Sequence, residues 1–144
     1  MGGSSESNSE QLADEEHSRE FQIRHNAACM LARGEPIHFH GRNRTARIGE
    51  GLILSVALQD SRIVITAPPI YSEDADLLAS LAAQPCQQSA TGDVLALCEG
   101  GSVVVAATID LGDFTLRRHD FQEVRGAVEA NRERIRIALE SPES

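Results

Sequence analysis

Two histidines on a short alternating segment come closest, in residue type and spacing, to a metal site. His38 and His40 lie in "IHFH", where an extended chain points both imidazoles to the same side. A zinc site needs three or four ligands, and the other candidates follow no recognised spacing. They are His25, Cys29 and Glu35. We therefore expect neither a metal nor any other cofactor, and we expect His38 and His40 to face solvent.

Phosphate binding by Arg42, Arg44 and Arg47, which directly follow the histidines, is the next possible chemistry. The formal net charge of −9 opposes nucleic-acid binding, because that affinity comes from neutralising phosphates. No aromatic residues alternate with the arginines, and the segment contains no Walker-type or G-x-G-x-x-G loop. We interpret this stretch as a solvated connection between two strands. The alternative is a small regulatory binding module that could contact nucleic acid through the three arginines.

No group of residues predicts an enzyme. Cys98 and His119 could form a thiolate pair, but Cys98 lies in an apolar strand pattern that favours a core position. The sequence has no serine in a G-x-S-x-G turn. These observations favour binding over catalysis.

Length and composition indicate one soluble domain. A chain of 144 residues can bury a core without disulfides. Its three cysteines are an odd number without C-x-x-C spacing, which favours a reducing cytoplasm. No segment reaches the roughly 20 apolar residues that span a bilayer, and the N-terminal segment lacks an apolar signal core. We expect a cytoplasmic protein without membrane contact.

The ends of the chain are predicted to be disordered. Residues 1–11 are acidic and almost without apolar side chains, and residues 141–144 form a short tail. Between them, residues 12–140 are predicted to be a single α+β domain. Its first helix is expected from about Leu12 or Ser18 to Arg33, ended by Gly34 and Pro36.

After Pro36 the hydrophobic period changes to two, which predicts strands. "IHFH", "LILSVAL" and "RIVITA" form a three-stranded antiparallel meander that ends at Pro68 and Pro69. A short helix follows, with Ser72 as the expected N-cap. "GDVLALCEGGSVVVAATIDL" then forms a hairpin of two strands.

The last helix has the clearest pattern. Asp120 and Glu123 resemble a capping box, and Arg125–Glu129 and Arg136–Glu140 are expected ion pairs on faces away from the apolar stripe. The stripe consists of Phe121, Val124, Val128, Ile135 and Leu139. The predicted order is α-βββ-α-ββ-α, a twisted antiparallel sheet flanked by helices.

These elements carry more apolar surface than one small sheet needs. The excess comprises Phe21, Ala28, Ile53, Ala57, Val104 and Ala106. Either the helices cover both faces of the sheet, or part of the excess is a dimer interface or a groove for another chain. Periodicity alone leaves both alternatives open.

This order of elements resembles the class I chaperones of bacterial type III secretion, the Tir-chaperone-like family. The resemblance covers about residues 18–140 and rests on four stretches of the sequence. They are "LILSVALQDSRIVITAPP", "DADLLASLAAQP", "GDVLALCEGGSVVVAATIDL" and "FQEVRGAVEANRERIRIAL".

The resemblance implies a homodimer that keeps the N-terminal segment of a secreted effector extended and competent for export, without ATP. It implies effector contacts on the first helix and the first three strands, at Phe21, Ala28, Ile37, Phe39, Ile53 and Ala57. It also implies a subunit interface on the short helix and second hairpin, at Leu77, Leu78, Leu81, Val103, Val105 and Ala107. The latter six residues could equally be plain core.

Overall fold

The computed structural model describes residues 19–40, 44–57, 61–111 and 117–140. Helix α1 covers 19–31, α2 is Ala75–Ala83 and α3 is Arg118–Glu140. The strands are β1 Ile37–His40, β2 Thr45–Ile48, β3 Leu52–Ala57, β4 Arg62–Thr66, β5 Ile70–Tyr71, β6 Gly92–Glu99 and β7 Ser102–Asp110. The protein therefore belongs to the α+β class, as predicted, and the predicted disordered ends, 1–11 and 141–144, lie outside the described residues.

All strands belong to one antiparallel sheet. β1, β2, β3 and β4 follow one another as a meander, and β7 pairs with β4. The short β5 pairs with β7 beyond the end of β4, while β6 pairs with β7 along its opposite side. Among the described residues, β1 and β6 are therefore the outer strands, and these two and the short β5 are each paired on one side only.

Alternation along the strands gives the sheet two different faces. In β3, Leu52, Leu54 and Val56 are buried, whereas Ile53 is 39% exposed. The same alternation continues across the register, because paired residues project to the same side. We call the face with Leu54 the inner face and the face with Ile53 the open face.

The three helices pack on the inner face. Their apolar residues join those of the inner face in one buried cluster, to which α1 contributes Ala27, Ala28 and Leu31, α2 contributes Leu78 and Leu81, and α3 contributes Phe121, Val124, Val128 and Ile135. Among the described residues no helix covers the open face, an arrangement that antiparallel sheets tolerate. Within these ranges the helices therefore cover one face of the sheet only.

Two strands were missing from the predicted order. β2 lies in the stretch interpreted as a solvated connection, yet Ala46 and Ile48 are buried on the inner face. Thr45 and Arg47 alternate with them and project toward the open face. The strand has only four residues and one of them is an arginine, so its alternation was too weak to predict a strand. β5 follows the two prolines, where pairing with β7 resumes at Ile70.

The helix ends differ from the predicted ones by a few residues. α1 ends at residue 31 instead of Arg33, and Gly34 takes a positive φ of +81° in the connection that follows. The start predicted near Leu12 or Ser18 lies outside the described residues. The N-cap of α2 is Asp74, whose Oδ1 accepts from the Leu77 amide at 3.1 Å. Ser72 lies two residues earlier, and its Oγ accepts from the Asp74 amide.

α3 begins at Arg118, two residues before its predicted cap Asp120. The Arg117 carbonyl accepts the first helical hydrogen bonds, and the Arg117 amide donates to Asp120 Oδ2 at 2.8 Å. Asp120 therefore occupies the inner position of a capping box, not the N-cap. Glu123 instead accepts from the Ala90 amide. The apolar stripe is confirmed, but Arg125, which was expected on a face away from the stripe, is buried beside it.

Candidate functional site

The residues that the resemblance assigned to effector binding lie in three environments. Phe21, Ile37 and Phe39 lie where α1 packs beside β1. Ile53 and Ala57 project from β3 on the open face. Ala28 is completely buried, so its side chain belongs to the core and is not available to a partner.

An aromatic cluster joins α1 to β1. The ring centroids of Phe21 and Phe39 are 5.7 Å apart, and those of His25 and Phe39 are 5.4 Å apart. His25 also stacks on Phe21 at 6.1 Å, and the Arg24 guanidinium lies 5.7 Å from the Phe21 ring centre. Phe21 nevertheless stays 48% exposed. We call Phe21, His25, Ile37 and Phe39 the β1 patch.

The β1 patch borders a free strand edge. Among the described residues β1 pairs with β2 alone, so one side of its backbone offers unpaired amides and carbonyls. Ile37 and Phe39 are half-buried toward α1, whereas His38 and His40 are exposed on the open face, as predicted. An added strand at this edge would therefore meet aromatic side chains on one face and imidazoles on the other.

An ion pair fixes the connection that leads from α1 into β1. Arg125 Nη1 donates to Glu35 Oε1 at 2.7 Å, and its Nη2 donates to Glu35 Oε2. The Arg33 amide also donates to Glu35 at 2.7 Å. These hydrogen bonds lower the pKa of Glu35 to about 2, the bond from Arg125 contributing most. The same pairing raises the pKa of Arg125, so both groups stay charged and the start of β1 is held in place.

Side chains of α3 also complete the C-terminus of α1. Gln122 Nε2 donates to the Met30 carbonyl at 2.8 Å and to the Leu31 carbonyl at 3.1 Å. Arg118 donates to the Ala32 carbonyl at 3.0 Å. The last carbonyls of a helix have no partners within it, so these bonds replace a local cap. The β1 patch is thus built on a helix that α3 holds at its end.

A second ion pair lies beside the patch. Arg24 Nη1 is 3.3 Å from Glu20 Oε1, and both residues are buried. Arg44 approaches the other oxygen of Glu20 at 3.8 Å. Arg44 therefore interacts with an acidic group of α1. The alternative function would require Arg44 to contact a phosphate instead.

The structure describes two of the three arginines of the predicted loop, Arg44 and Arg47. Arg42 lies outside the described residues, and Arg47 projects from β2 onto the open face opposite His38 and Ile53. Among the residues that the structure describes, no group of three or more His, Cys, Asp or Glu could hold a metal ion.

Five of the six residues implied for the subunit interface belong to the core of this protomer. Leu78, Leu81, Val103, Val105 and Ala107 are buried in the central cluster, the alternative that the sequence left open; Leu77 is half-buried beside it. A partner could reach the buried five only if the protomer opened.

The expectation that Cys98 lies in the core is wrong. Its place in an apolar strand favoured the core, yet it is exposed near the end of the outer strand β6. His119 lies on α3 beside Glu123, at 3.8 Å, and is also exposed. The sequence pattern could not show that this end of β6 extends past the covering helices.

Sequence reasoning missed several residues of the two candidate surfaces. His25 was considered only as a metal ligand, although it completes the aromatic cluster. Leu95 and Leu97 are exposed on the open face at 41% and 59%. Their alternation with Val94 and Ala96 indicates that they face away from the core, but the sequence alone does not show that β6 is an outer strand.

No helix in the described ranges combines the length and the apolar character needed to cross a bilayer. Comparisons with protein-family models, with curated proteins and with solved structures found no match to this chain.

Proposed function

We propose that this protein binds an extended segment of another protein at the β1 patch, without catalysing a reaction. The observation that carries the proposal is the free edge of β1 beside the half-exposed Phe21 and Phe39 rings. An extended peptide can join such an edge through backbone hydrogen bonds, while neighbouring pockets receive alternate side chains.

The class of partner follows from the resemblance. A class I type III secretion chaperone would hold the N-terminal segment of a secreted effector in this extended form, in the cytoplasm and without ATP. The α+β class, the antiparallel sheet and the late α-ββ-α order agree with that family. The additional strand β2 departs from the predicted order, and it places β1 further from the centre of the sheet.

The binding site is tested with peptides selected from an unbiased library against the full chain. Binding of a selected peptide should slow hydrogen exchange at the amides of β1, because an added strand pairs with them. Phe21→Asp should weaken binding by roughly tenfold, since it removes an aromatic anchor. Ile137→Asp is the matched control, because Ile137 is 51% exposed on α3 and should not change the affinity.

Three results would count against this function. They are exchange protection that avoids β1, equal loss of affinity in both variants, and the absence of any peptide ligand. A salt series separates the nucleic-acid alternative: RNA binding that falls steeply with salt would indicate phosphate contacts, whereas apolar peptide docking should change little.

A further inference from the structure

The open face carries a broad apolar surface that nothing in the described structure covers. Its apolar members are Ile53, Ala57, Val64, Leu95, Leu97, Val104 and Ala106, of which Ala106 is only 6% exposed. None of them belongs to the buried cluster under the helices. An apolar surface of this kind on a sheet marks an interaction site.

Charges of opposite sign flank this apolar surface. Arg47 lies at the β1–β2 end, together with His38 and His40, and Asp93 lies on β6 at the other end. Neither Arg47 nor Asp93 has a side-chain hydrogen bond or ion pair with another described residue, and the Arg47 Nε atom is buried without an acceptor. Both ends therefore present charges that a partner could neutralise.

The remaining charged residues of the open face do not alter this polarity. Arg62 and Asp110 are register partners on β4 and β7, so opposite charges lie side by side there. Glu99 adds a second acid at the far end of β6. The face thus carries Arg47 toward one edge and Asp93 and Glu99 on the strand at the other edge. Between them apolar side chains alternate with the hydroxyls of Ser55, Thr66 and Thr108.

We propose that a second copy of this chain covers the open face and forms a symmetric dimer by sheet-on-sheet packing. A twofold axis parallel to the strands, lying between the two sheets, places the β1–β2 end of one copy over the β6 end of the other. An axis perpendicular to the strands would instead place β1 over β1 and Arg47 near Arg47. Charge complementarity therefore selects the first arrangement.

The register gives the dimer a specific pattern of contacts. His38, Arg47, Ile53, Thr66, Ala106 and Leu95 form one row across the sheet. Rotation about the parallel axis reverses the order of this row in the second copy, so Ile53 faces Thr66 of the second copy. Arg47 then faces β7 of the second copy, and Asp93 lies on the adjacent strand β6. Two sheets packed about 10 Å apart would bury the apolar middle, as in a β-sandwich.

This interface is distinct from the one that the resemblance implies, whose residues are mostly core in this protomer. It also leaves the β1 patch free, because that patch lies on the helix side of the sheet. The dimer and the peptide-binding proposal can therefore fail independently.

Charge reversal tests the arrangement, with the dimer dissociation constant measured by analytical ultracentrifugation. Arg47→Glu and Asp93→Arg should each weaken the dimer at least roughly tenfold, because each places like charges together. The double variant should recover most of the affinity. Within one chain the two positions are four strand spacings apart, about 19 Å, so recovery would require contact between copies.

Two controls protect the result. Arg47→Gln and Asp93→Asn remove the charges without reversing them, and they replace any reversal variant that does not fold. Each should weaken the dimer by a smaller factor than the corresponding reversal. Ile137→Asp, an exposed position on α3, should leave the dissociation constant unchanged. A monomeric wild type, single variants that dimerise normally, or a double variant without recovery would each overturn the proposal.

Discussion

Arg125 of α3 faces Glu35, in the connection from α1 to β1, with one hydrogen bond from each terminal nitrogen of its guanidinium. The same guanidinium donates to the Leu31 carbonyl at 2.8 Å. One buried side chain thereby joins the end of α1, the start of β1 and the long helix. The two residues are 90 positions apart in the sequence, so this pair organises tertiary structure rather than a local turn.

Glu35→Gln should lower the free energy of unfolding by about 2 kcal/mol, because it leaves the buried Arg125 with only the more distant Glu129 as a counter-charge. Urea unfolding at neutral pH measures the change. Glu129→Gln is the control: Glu129 is 3.7 Å from Arg125 Nε and half-exposed, so its loss should cost no more than about 1 kcal/mol. Equal losses would show that Arg125 does not depend on Glu35 in particular.

The stability of the protein should depend on pH through the same carboxylate. The pKa of Glu35 is about 2 in the folded protein against its ordinary 4.5, so the folded state favours the ionised form. Its contribution is complete above about pH 4.5 and is lost as the pH falls toward 2. The difference in unfolding free energy between wild type and Glu35→Gln should therefore shrink below pH 4.5. A difference that stays constant down to pH 3 would contradict this assignment.

Gln122→Ala should destabilise the C-terminal turn of α1. It removes donors from the Met30 and Leu31 carbonyls, and we expect a loss of about 1 kcal/mol. Native-state hydrogen exchange should show faster opening at residues 28–32 than elsewhere in the core. Gln22→Ala serves as control, since Gln22 is exposed and bonds only Asn26 at 3.3 Å among the described residues.

Asp74→Ala should cost about 1 kcal/mol of stability, because Asp74 is the N-cap of α2. Ser72→Ala should cost less, since its hydroxyl accepts from the Asp74 amide and not from the helix itself. Thermal unfolding of the two variants in parallel separates the observed cap from the one that the sequence favoured. The reverse ranking would restore Ser72 as the cap.

Gly126→Ala should stabilise the protein by roughly 0.5–1 kcal/mol, because alanine favours a helix interior and its methyl group meets nothing within 4 Å. Gly51→Ala should do the opposite, since its methyl group would approach Pro68 Cγ to 2.6 Å. Denaturant midpoints of both variants provide the test. A stabilising Gly51→Ala would mean that the turn before β3 can shift away from Pro68.

Strong periodicity made much of the fold predictable. The stripe of α3 and the alternating residues of β3, β6 and β7 determine their own elements, because each buries one side. β2 was not predictable in the same way. Its inner residues Ala46 and Ile48 are separated by an arginine that only the finished sheet shows to face outward.

The candidate surfaces were less predictable, because they depend on which element covers which face. Phe21, Ile37 and Phe39 were singled out from the sequence through the resemblance, and the structure places them together. The same pattern reasoning could not separate Ala28, which is in the core, from Phe21, which is exposed. Nor could it identify Glu35 as the main partner of Arg125, because the i, i+4 spacing already predicted an ion pair with Glu129.

The cap that α3 supplies to α1 has a consequence for how the chain acquires its structure. The donors that complete the end of α1 are translated 86 to 94 positions after the carbonyls they bind. During synthesis α1 therefore exists for most of the time without its final partners. Its last turn should become protected only when α3 docks, so the surface beside β1 forms late in folding, together with the closing helix.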